Sequence, residues 1–343
     1  MTSLRAGGPL TASGTASSAQ GDTAPAHDLA GLAGTFEAVV DSVRRAYVGK
    51  DLTVRLAICC LVAEGHLLVE DHPGVGKTTL AKALARSLGL GFGRVQFTAD
   101  LLPADVTGAV VLDRDSGHLV FRPGPVFTNV LLADELNRAS PKAQSALLEA
   151  MEERQVSVDG TSHPLPRPFM VLATQNPYDA AGTFPLPQSQ RDRFLIRLEL
   201  GYPEPEAEDD LLAGERDRPS PEALAPVGDP GFVEAFRSAA AQVHVAPEVR
   251  RYMLDIVHAT RSHPDVSVGA SPRAGLALLR ASSTVAVARG LRYVSPDDVK
   301  LVAEPVLGHR LVVHAAADLA GVTASATVHE VLSRLVVPVG PAR

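Results

Sequence analysis

Two patterns of apolar residues alternate along the first 201 residues. The segments TFEAVVDSVRRAYVGK and DLTVRLAICCLVAEG show helical periodicity, as do residues 77–88 and the segment that begins at Pro141. Between the helices lie short, continuous apolar runs typical of buried strands: residues 66–70, 92–98, 129–135, 169–176 and 193–200. Strands that alternate with helices in this way predict an α/β fold, with a parallel five-stranded sheet covered by helices on both faces (αβα).

The hydrophobic pattern also predicts smaller elements and a second domain. Two apolar runs flank residues 113–117 (DRDSG), which indicates a hairpin, and QVSVDGTSHPLPRP indicates a strand and a loop. After the linker GYPEPEAE the pattern is helical, with starts at Ser271-Pro272 and Ser295-Pro296. We therefore expect an all-helical domain over residues 204–343. Residues 1–30 are rich in Gly, Ser, Thr and Ala, and this composition predicts a disordered tail.

Composition and charge narrow the possible environments. Hydrophobic residues make up 45% of the chain and charged residues 21%, values typical of a globular protein with a sizeable core. A net charge of −7 argues against a general attraction to nucleic acid or anionic membranes. The adjacent Cys59 and Cys60 suit neither a structural disulfide nor a metal site. With no apolar run of transmembrane length and no signal-like N-terminus, we expect a cytoplasmic protein.

The stretch HLLVEDHPGVGKTTLAKALA indicates a phosphate-binding loop between a strand and a helix. Gly74 and Gly76 let the backbone curl so that amide N–H groups converge on a phosphate. Lys77 supplies a positive charge for the phosphate oxygens, and Thr78 a hydroxyl for Mg²⁺. The usual spacing places a glycine where this chain has Asp71. The alternative is an ordinary strand–turn–helix in which Gly-Lys-Thr has no role.

Other polar residues stand where such a site needs them. Asp134 and Glu135 end a buried strand, where one carboxylate can hold Mg²⁺ and the other can deprotonate water. Asn176 ends another strand and can orient that water. Arg193 and Arg273 offer guanidinium groups for phosphate, with Arg191 a weaker competitor for the first role. Each has a plainer explanation: a solvated strand end, a polar turn residue or a surface salt bridge.

Five stretches together resemble the MoxR-type AAA+ ATPases: HPGVGKTTLAKALA, VQFTADLLPADVTG, ADELNRASPKAQSALLEAMEERQVSVDG, PLPRPFMVLATQNP and GASPRAGLALLRAS. The resemblance covers about residues 35–310. It implies an AAA+ P-loop NTPase core over residues 31–201, with a helix-2 insert hairpin, followed by a helical lid domain. The chain departs from the family pattern at Arg191, where an apolar residue is common. It also departs from the usual spacing of a phosphate-binding loop at Asp71, where a glycine is expected.

The resemblance also implies the role of each residue. ATP and Mg²⁺ would be the cofactors, and Arg273 would be sensor 2, in its own subunit or on a neighbour. The other residues have these implied roles: Walker A (Gly74, Val75, Gly76, Lys77, Thr78, Thr79), a further nucleotide contact (Pro73), Walker B (Asp134, Glu135), Mg²⁺ ligands (Thr78, Asp134), adenine neighbours (Val48, Gly49), sensor 1 (Asn176) and an arginine finger (Arg193).

The leading hypothesis is a Mg²⁺-dependent ATP hydrolase. It would act in a ring, commonly a hexamer, as a chaperone-like remodeller of protein clients, with von Willebrand factor A domain proteins as possible partners. Three alternatives stay open: a nucleic-acid motor, which the acidic charge disfavours; a switch that senses ATP without hydrolysis; and a metal chelatase motor subunit.

Overall fold

The computed structural model of the chain describes residues 28–176, 182–213 and 218–338. The predicted tail, residues 1–30, lies outside these ranges except at its end, where a helix already begins at Leu29. The strands are β1 (Leu67–Glu70), β2 (Phe92–Gln96), β3 (Gly108–Leu112), β4 (Leu119–Pro123), β5 (Val130–Asp134), β6 (Gln155–Val158), β7 (Thr161–Pro164), β8 (Met170–Gln175), β9 (Ile196–Leu198), β10 (Val266–Val268) and β11 (Val312–Val313).

The helices begin where the sequence provides caps. Ser140, Ser271 and Ser295 each accept a hydrogen bond from the first turn and are followed by proline, as predicted. The helices are α1 (Leu29–Ala46), α2 (Asp51–Val62), α3 (Lys77–Ser87), α4 (Pro103–Thr107), α5 (Pro141–Glu153), α6 (Gln188–Arg191), α7 (Pro205–Ala213), α8 (Pro230–Gln242), α9 (Pro247–Arg261), α10 (Pro272–Ala288), α11 (Pro296–Leu307), α12 (Ala315–Leu319) and α13 (Ala324–Arg334).

Five parallel strands form the central sheet in the order β2-β5-β8-β1-β9. The predicted five-stranded parallel sheet is therefore confirmed. Because the strands are parallel, the carboxyl ends of β1, β5 and β8 lie side by side at one edge, called here the carboxyl edge. The residues that precede the strands lie at the opposite, amino edge.

The sheet separates two apolar cores. Leu67 and Val69 face a core shared with α1, α2 and α3, whereas Leu68 between them faces a core shared with α4 and α5. This period of two is what a strand buried on both faces requires. Helices therefore cover both faces, which confirms the αβα layering.

The C-terminal region packs into the first core and is not an isolated unit. Phe36 of α1 meets Phe236 of α8 with ring centroids 5.7 Å apart, and α10 packs on α1 and α2. The prediction of an all-helical domain was wrong in one respect, because β10 and β11 pair antiparallel within it. Strands of three and two residues are too short to produce a periodic pattern.

Two hairpins project from the core. β3 pairs with β4 across residues 113–118, which confirms the predicted hairpin. β6 pairs with β7, where the apolar pattern by itself indicated one strand and a loop and the family resemblance implied a hairpin. The rings of Phe121 and His163 stack at 3.9 Å and join the two hairpins. Within the described residues, the structure contains no helix long and apolar enough to cross a membrane.

Candidate nucleotide site

The loop after β1 has the backbone shape of a phosphate cradle. Gly74 and Gly76 have φ of 88° and 87°, in the left-handed region that favours glycine, and Gly76 directly precedes α3. The Nζ of Lys77 donates to the carbonyl oxygen of Asp71 at 2.5 Å and so crosses the loop. Burial lowers the pKa of Lys77, while Asp71, Asp134 and Glu135 oppose this shift. Lys77 at the start of α3 therefore lies near Asp134 and Glu135, the carboxylates predicted to form Walker B.

Asp71, at the position of the missing glycine, makes a contact that glycine cannot make. Its buried carboxylate accepts the N–H of His72 at 2.7 Å and the N–H of Gly201 at 2.6 Å. Gly201 lies where the chain leaves β9 for the lid, and its φ is 68°. Asp71 thus ties the start of the phosphate loop to the connection between core and lid. No local sequence pattern predicts that role, because the contact depends on where the chain leaves β9.

Beside the loop, the structure contains a cavity of about 430 Å³. Buried Tyr47 forms one wall, and its ring lies within 2.5 Å of where a Cβ on Gly49 would stand, so glycine is needed there. Burial, and to a lesser degree the charge of Asp71, raise the pKa of Tyr47 to about 12, so its hydroxyl stays protonated. The lining includes Val48, Gly74, Val75, Gly76 and Thr79, which were predicted, and Tyr202, Pro203, Glu208, Leu211, Leu212 and Arg218, which were not.

Asp134 ends β5 with both carboxylate oxygens engaged. Thr174 Oγ1 donates to Oδ1 at 2.7 Å, and Nη2 of Arg94 donates to Oδ2 at 2.6 Å. Arg94 lies on the neighbouring strand β2, so a protein cation already rests against the carboxylate predicted to hold Mg²⁺. No sequence pattern singles out Arg94, because its contact depends on the β2–β5 pairing.

Glu135 is held in a strained backbone conformation. Its φ of 56° and ψ of 46° are left-handed, which costs a non-glycine residue about 1 kcal/mol or more. Its N–H donates to Thr174 Oγ1 at 2.8 Å. Its Oε2 accepts Gln96 Nε2 at 2.9 Å and Arg138 Nη1 at 3.1 Å. Strain in a fixed carboxylate next to a phosphate cradle is typical of a functional site.

Asn176 directly follows β8. Gln175 pairs with Glu70 of β1, and its carbonyl oxygen accepts the N–H of Asp71 at 3.2 Å. Asn176 therefore lies at the carboxyl edge, beside the start of the phosphate loop. The structure thus brings together the predicted Walker A, Walker B and sensor 1 residues at one edge.

These residues fit a nucleotide with Mg²⁺. The cradle and Lys77 match phosphate, and the adjoining cavity is large enough for a base and sugar. Mg²⁺ bound to nucleotide phosphates takes few protein ligands and prefers oxygen, which Thr78 and Asp134 offer. The described residues contain no cluster of three or more His, Cys, Asp or Glu side chains for a metal.

Arg193 and Arg273 lie elsewhere. Both pair with Glu152 near the end of α5: Arg193 Nη2 at 3.0 Å and Arg273 Nη2 at 2.9 Å. They line a cleft of about 330 Å³ together with Gly65 and His66, which precede β1. The phosphate loop follows β1, so the two arginines lie at the amino edge, one strand length of roughly 13 Å away across the sheet. The sequence predicted no partner for them, and Glu152 was missed.

Arg191 makes a different set of contacts. Its Nη2 donates to Gln188 Oε1 of its own helix at 2.6 Å. Burial lowers its pKa, although the charge of Glu70 opposes the shift. It is not one of the residues that line the cleft around Glu152.

Comparison with known proteins assigns the two halves of the chain. Residues 66–196 match the ATPase family associated with various cellular activities (AAA), and residues 258–331 match the AAA lid domain. The chain is 44% identical to the protein YeaC of Bacillus subtilis over 88% of its own length and 94% of that protein. It is 38% identical to chaperone MoxR1 of Mycobacterium tuberculosis, covering 97% of this chain and 91% of that protein.

A solved structure agrees with these sequence matches. The crystal structure of a candidate ATPase from Cytophaga hutchinsonii superposes with a TM-score of 0.84 at 32% identity, covering 91% of this chain and 97% of that one. The fold, both domains and relatives over nearly the full length agree. The chain therefore belongs to the MoxR family of AAA+ ATPases.

Proposed function

We propose that this ATPase binds ATP with Mg²⁺ at the carboxyl edge and completes its site with arginines from a second copy of the chain. The observation that carries the proposal is the separation of the two sets of residues. The phosphate loop and the carboxylates share one edge of the sheet, whereas Arg193 and Arg273 share the other. Copies arranged head to tail would place the amino edge of one against the carboxyl edge of the next, and such contacts close into rings.

Each residue then has a role in hydrolysis. Gly74–Thr79 amide groups and Lys77 would hold the phosphates, and Thr78 and Asp134 the Mg²⁺, which neutralises developing charge when bound. Glu135 would deprotonate the attacking water, which Asn176 orients. For this, Glu135 has to exchange its bonds to Gln96 and Arg138 for one to water. Arg193 and Arg273 would leave Glu152 for the phosphates of the neighbour.

The biological role is proposed from the family. The relative MoxR1 is named a chaperone. In line with that name, we propose remodelling or maturation of protein clients by a ring, with a hexamer as the expected size and von Willebrand factor A domain proteins as candidate partners. We also propose a cytoplasmic location, supported by Cys59 and Cys60, which are free and buried. Burial raises the pKa of both thiols, that of Cys59 to about 12.

The test measures phosphate release by the full chain with ATP and Mg²⁺. Glu135→Gln should keep nucleotide affinity and lose turnover by about 10²- to 10⁴-fold, since it removes the base and little else. Glu149→Gln is the matched control, because Glu149 is an exposed carboxylate of α5. Turnover per chain should rise with protein concentration. Parent-like turnover by Glu135→Gln, or turnover independent of concentration in a monomer, would overturn the proposal.

A further inference from the structure

The segment that carries Arg193 is attached to the lid as well as to the sheet. We call residues 188–195 the finger segment; it contains α6 and leads into β9. His309 Nε2 donates to the carbonyl oxygen of Phe194 at 3.0 Å, and Gln188 Nε2 donates to that of His309 at 3.4 Å. Both His309 and its neighbour Arg310 lie in a short 3-10 turn that follows α11.

Arg310 makes most of the contacts between this turn and the finger segment. Its Nε donates to Asp192 Oδ1 at 2.7 Å, and its Nη2 donates to the carbonyl oxygen of Phe194 at 2.6 Å. Longer bonds reach the carbonyl oxygens of Asp192 and Leu195, both at 3.3 Å. The guanidinium also donates to the carbonyl oxygen of Val306 near the end of α11. These bonds fix the backbone on both sides of Arg193.

Burial of Arg310 makes its bonds to the finger segment rigid. Only 3% of its side chain is exposed, so water is a poor substitute for the bonds it makes. A planar guanidinium also fixes the direction of each bond, which an ammonium group does not. By contrast, 30% of the Arg193 side chain is exposed, and it pairs with Glu152 at the rim of the cleft. The fixed arginine therefore anchors the segment from which the exposed one projects.

The lid helix α11 also contacts β9 itself, through Arg197. Arg197 Nη2 donates to Glu304 Oε1 of α11 and to Ser325 Oγ of α13, both at 2.7 Å. Its Nη1 pairs with Glu70 at 3.2 Å, directly before Asp71 and the phosphate loop. One element, α11 with its following turn, is thus bonded directly to the finger segment and, through Arg197 of β9, to Glu70 at the border of the phosphate loop.

From these contacts we infer that Arg310 is a positioning residue for Arg193: it holds the finger segment so that Arg193 can reach the phosphates bound by a neighbouring copy. The inference rests on the proposed function, in which Arg193 acts on the neighbour. A lid movement at one nucleotide pocket would then move the arginine offered to the next, because α11 and its turn contact the finger segment directly and the phosphate-loop border through Arg197. Contiguous hydrogen bonds between two packed elements are a physical route for such coupling.

The experiment separates the chain that donates the arginine from the chain that hydrolyses ATP. Affinity-tagged Arg193→Ala chains keep a complete phosphate loop and lack the finger. Untagged Glu135→Gln chains cannot hydrolyse but carry Arg193. Mixed assemblies isolated through the tag should recover turnover, all of it at Arg193→Ala sites. The test replaces the donor by the double variant Glu135→Gln/Arg310→Met, and the control donor is Glu135→Gln/Arg289→Met.

Arg289 is a fair control because it belongs to another arginine–aspartate pair of the lid. Its Nη1 donates to Asp298 Oδ1 at 2.5 Å, on α11 and away from the finger segment. The control donor should restore turnover as well as Glu135→Gln alone. The Arg310→Met donor should co-purify to the same extent and restore roughly 10- to 100-fold less, since misplacing a catalytic group by about 1 Å has an effect of that size.

A second donor covers the case in which Arg310→Met fails to fold or assemble. Asp192→Asn retains the carbonyl contacts of Arg310 and weakens its pairing with the carboxylate, whose other partner is a long bond from Ser271 Oγ at 3.4 Å, so Glu135→Gln/Asp192→Asn should give an intermediate recovery. Full recovery with both the Arg310→Met and the Asp192→Asn donors would overturn this inference and leave the role of Arg193 intact. No recovery even with the simple Glu135→Gln donor would instead refute the proposed function, and this inference with it.

Discussion

The two edges of the sheet are built in different ways. At the carboxyl edge, most groups stand within a few residues of a strand end, and the shape of the loop follows from its glycines. At the amino edge, Glu152, the finger segment and Arg273 come from three distant stretches, and the lid turn with Arg310 holds the finger segment in place. The residues of the carboxyl edge can therefore be recognised from local sequence motifs. The residues of the amino edge come together only when the core and the lid pack against each other.

The largest expected effect is a loss of turnover, caused at the amino edge, that leaves nucleotide affinity unchanged. Arg193→Ala should lower turnover by about 10³-fold or more, as removal of an arginine finger does, while nucleotide affinity stays near that of the parent. Arg191→Ala is the paired variant and should have a much smaller effect. The measurements are kcat for phosphate release and the Kd of a fluorescent nucleotide. A larger loss with Arg191→Ala would reverse the assignment of the finger.

Acid should act mainly on the amino edge. His66 is buried there, with its Nδ1 accepting the N–H of Val171 at 3.0 Å, and burial lowers its pKa to about 4. In the unfolded chain His66 binds a proton near pH 6.5, whereas in the folded chain it stays neutral down to about pH 4. The free energy of unfolding therefore falls as the pH falls from 6.5 to 4. Each such histidine contributes up to about 1.4 kcal/mol per pH unit. Burial also lowers the pKa of His309, which adds in the same direction.

Denaturant unfolding at pH 7 and pH 5 measures this effect. His66→Gln should reduce the dependence on pH, whereas His118→Gln should not, because His118 is exposed in the β3–β4 loop. An unchanged pH dependence in the His66 variant would show that the acid sensitivity arises elsewhere.

The carboxyl edge should depend on one distant contact, that of Asp71 with Gly201. Asp71→Ala leaves the Gly201 N–H without its acceptor, which should lower the free energy of unfolding by about 1–3 kcal/mol. Asp71→Asn keeps an acceptor oxygen and should have a smaller effect. Nucleotide affinity should fall with Asp71→Ala, because Tyr202 of the cavity follows Gly201 directly. Full stability in the alanine variant would mean that the loop needs no support from the lid connection.

The smallest effect should come from Arg94. Removing this cation in Arg94→Met should reduce the Mg²⁺ concentration for half-maximal turnover by up to about fivefold, since a partly exposed ion pair contributes about 0.2–1 kcal/mol. A Mg²⁺ titration of phosphate release measures it. An increased Mg²⁺ requirement would instead show that Arg94 holds Asp134 in the right orientation.

The sequence predicts the fold well where one segment decides the outcome. Buried strands, capped helices and the β3–β4 hairpin follow from residues next to each other in the chain. The predicted strand at residues 193–200 was too long, and the structure shows only Ile196–Leu198. The carbonyl oxygen of Phe194 accepts Arg310 of the lid, so pairing along the sheet begins only after it, with Leu195 N–H donating to the carbonyl oxygen of His66 at 2.8 Å.

For the site too, the sequence predicts the residues that have a local signature and not those whose contacts depend on the fold. The glycines, Lys77 and the strand-end carboxylates have local signatures, and the structure places them at one edge. Arg94, Gln96 and Tyr202 have none, because their contacts depend on which strand lies next to β5 and on the path of the lid connection. Glu152 looks like any acidic residue of an amphipathic helix until α10 packs beside it.

The central claim is that one active site needs two copies of the chain, and mixing two defective variants tests it most directly. Glu135→Gln lacks the base at the carboxyl edge, and Arg193→Ala lacks the finger at the amino edge. Each alone should show almost no turnover. Their mixture should regain a substantial part of the parent activity, since the first chain supplies Arg193 to the intact carboxyl edge of the second. A mixture no more active than its two components would contradict the claim.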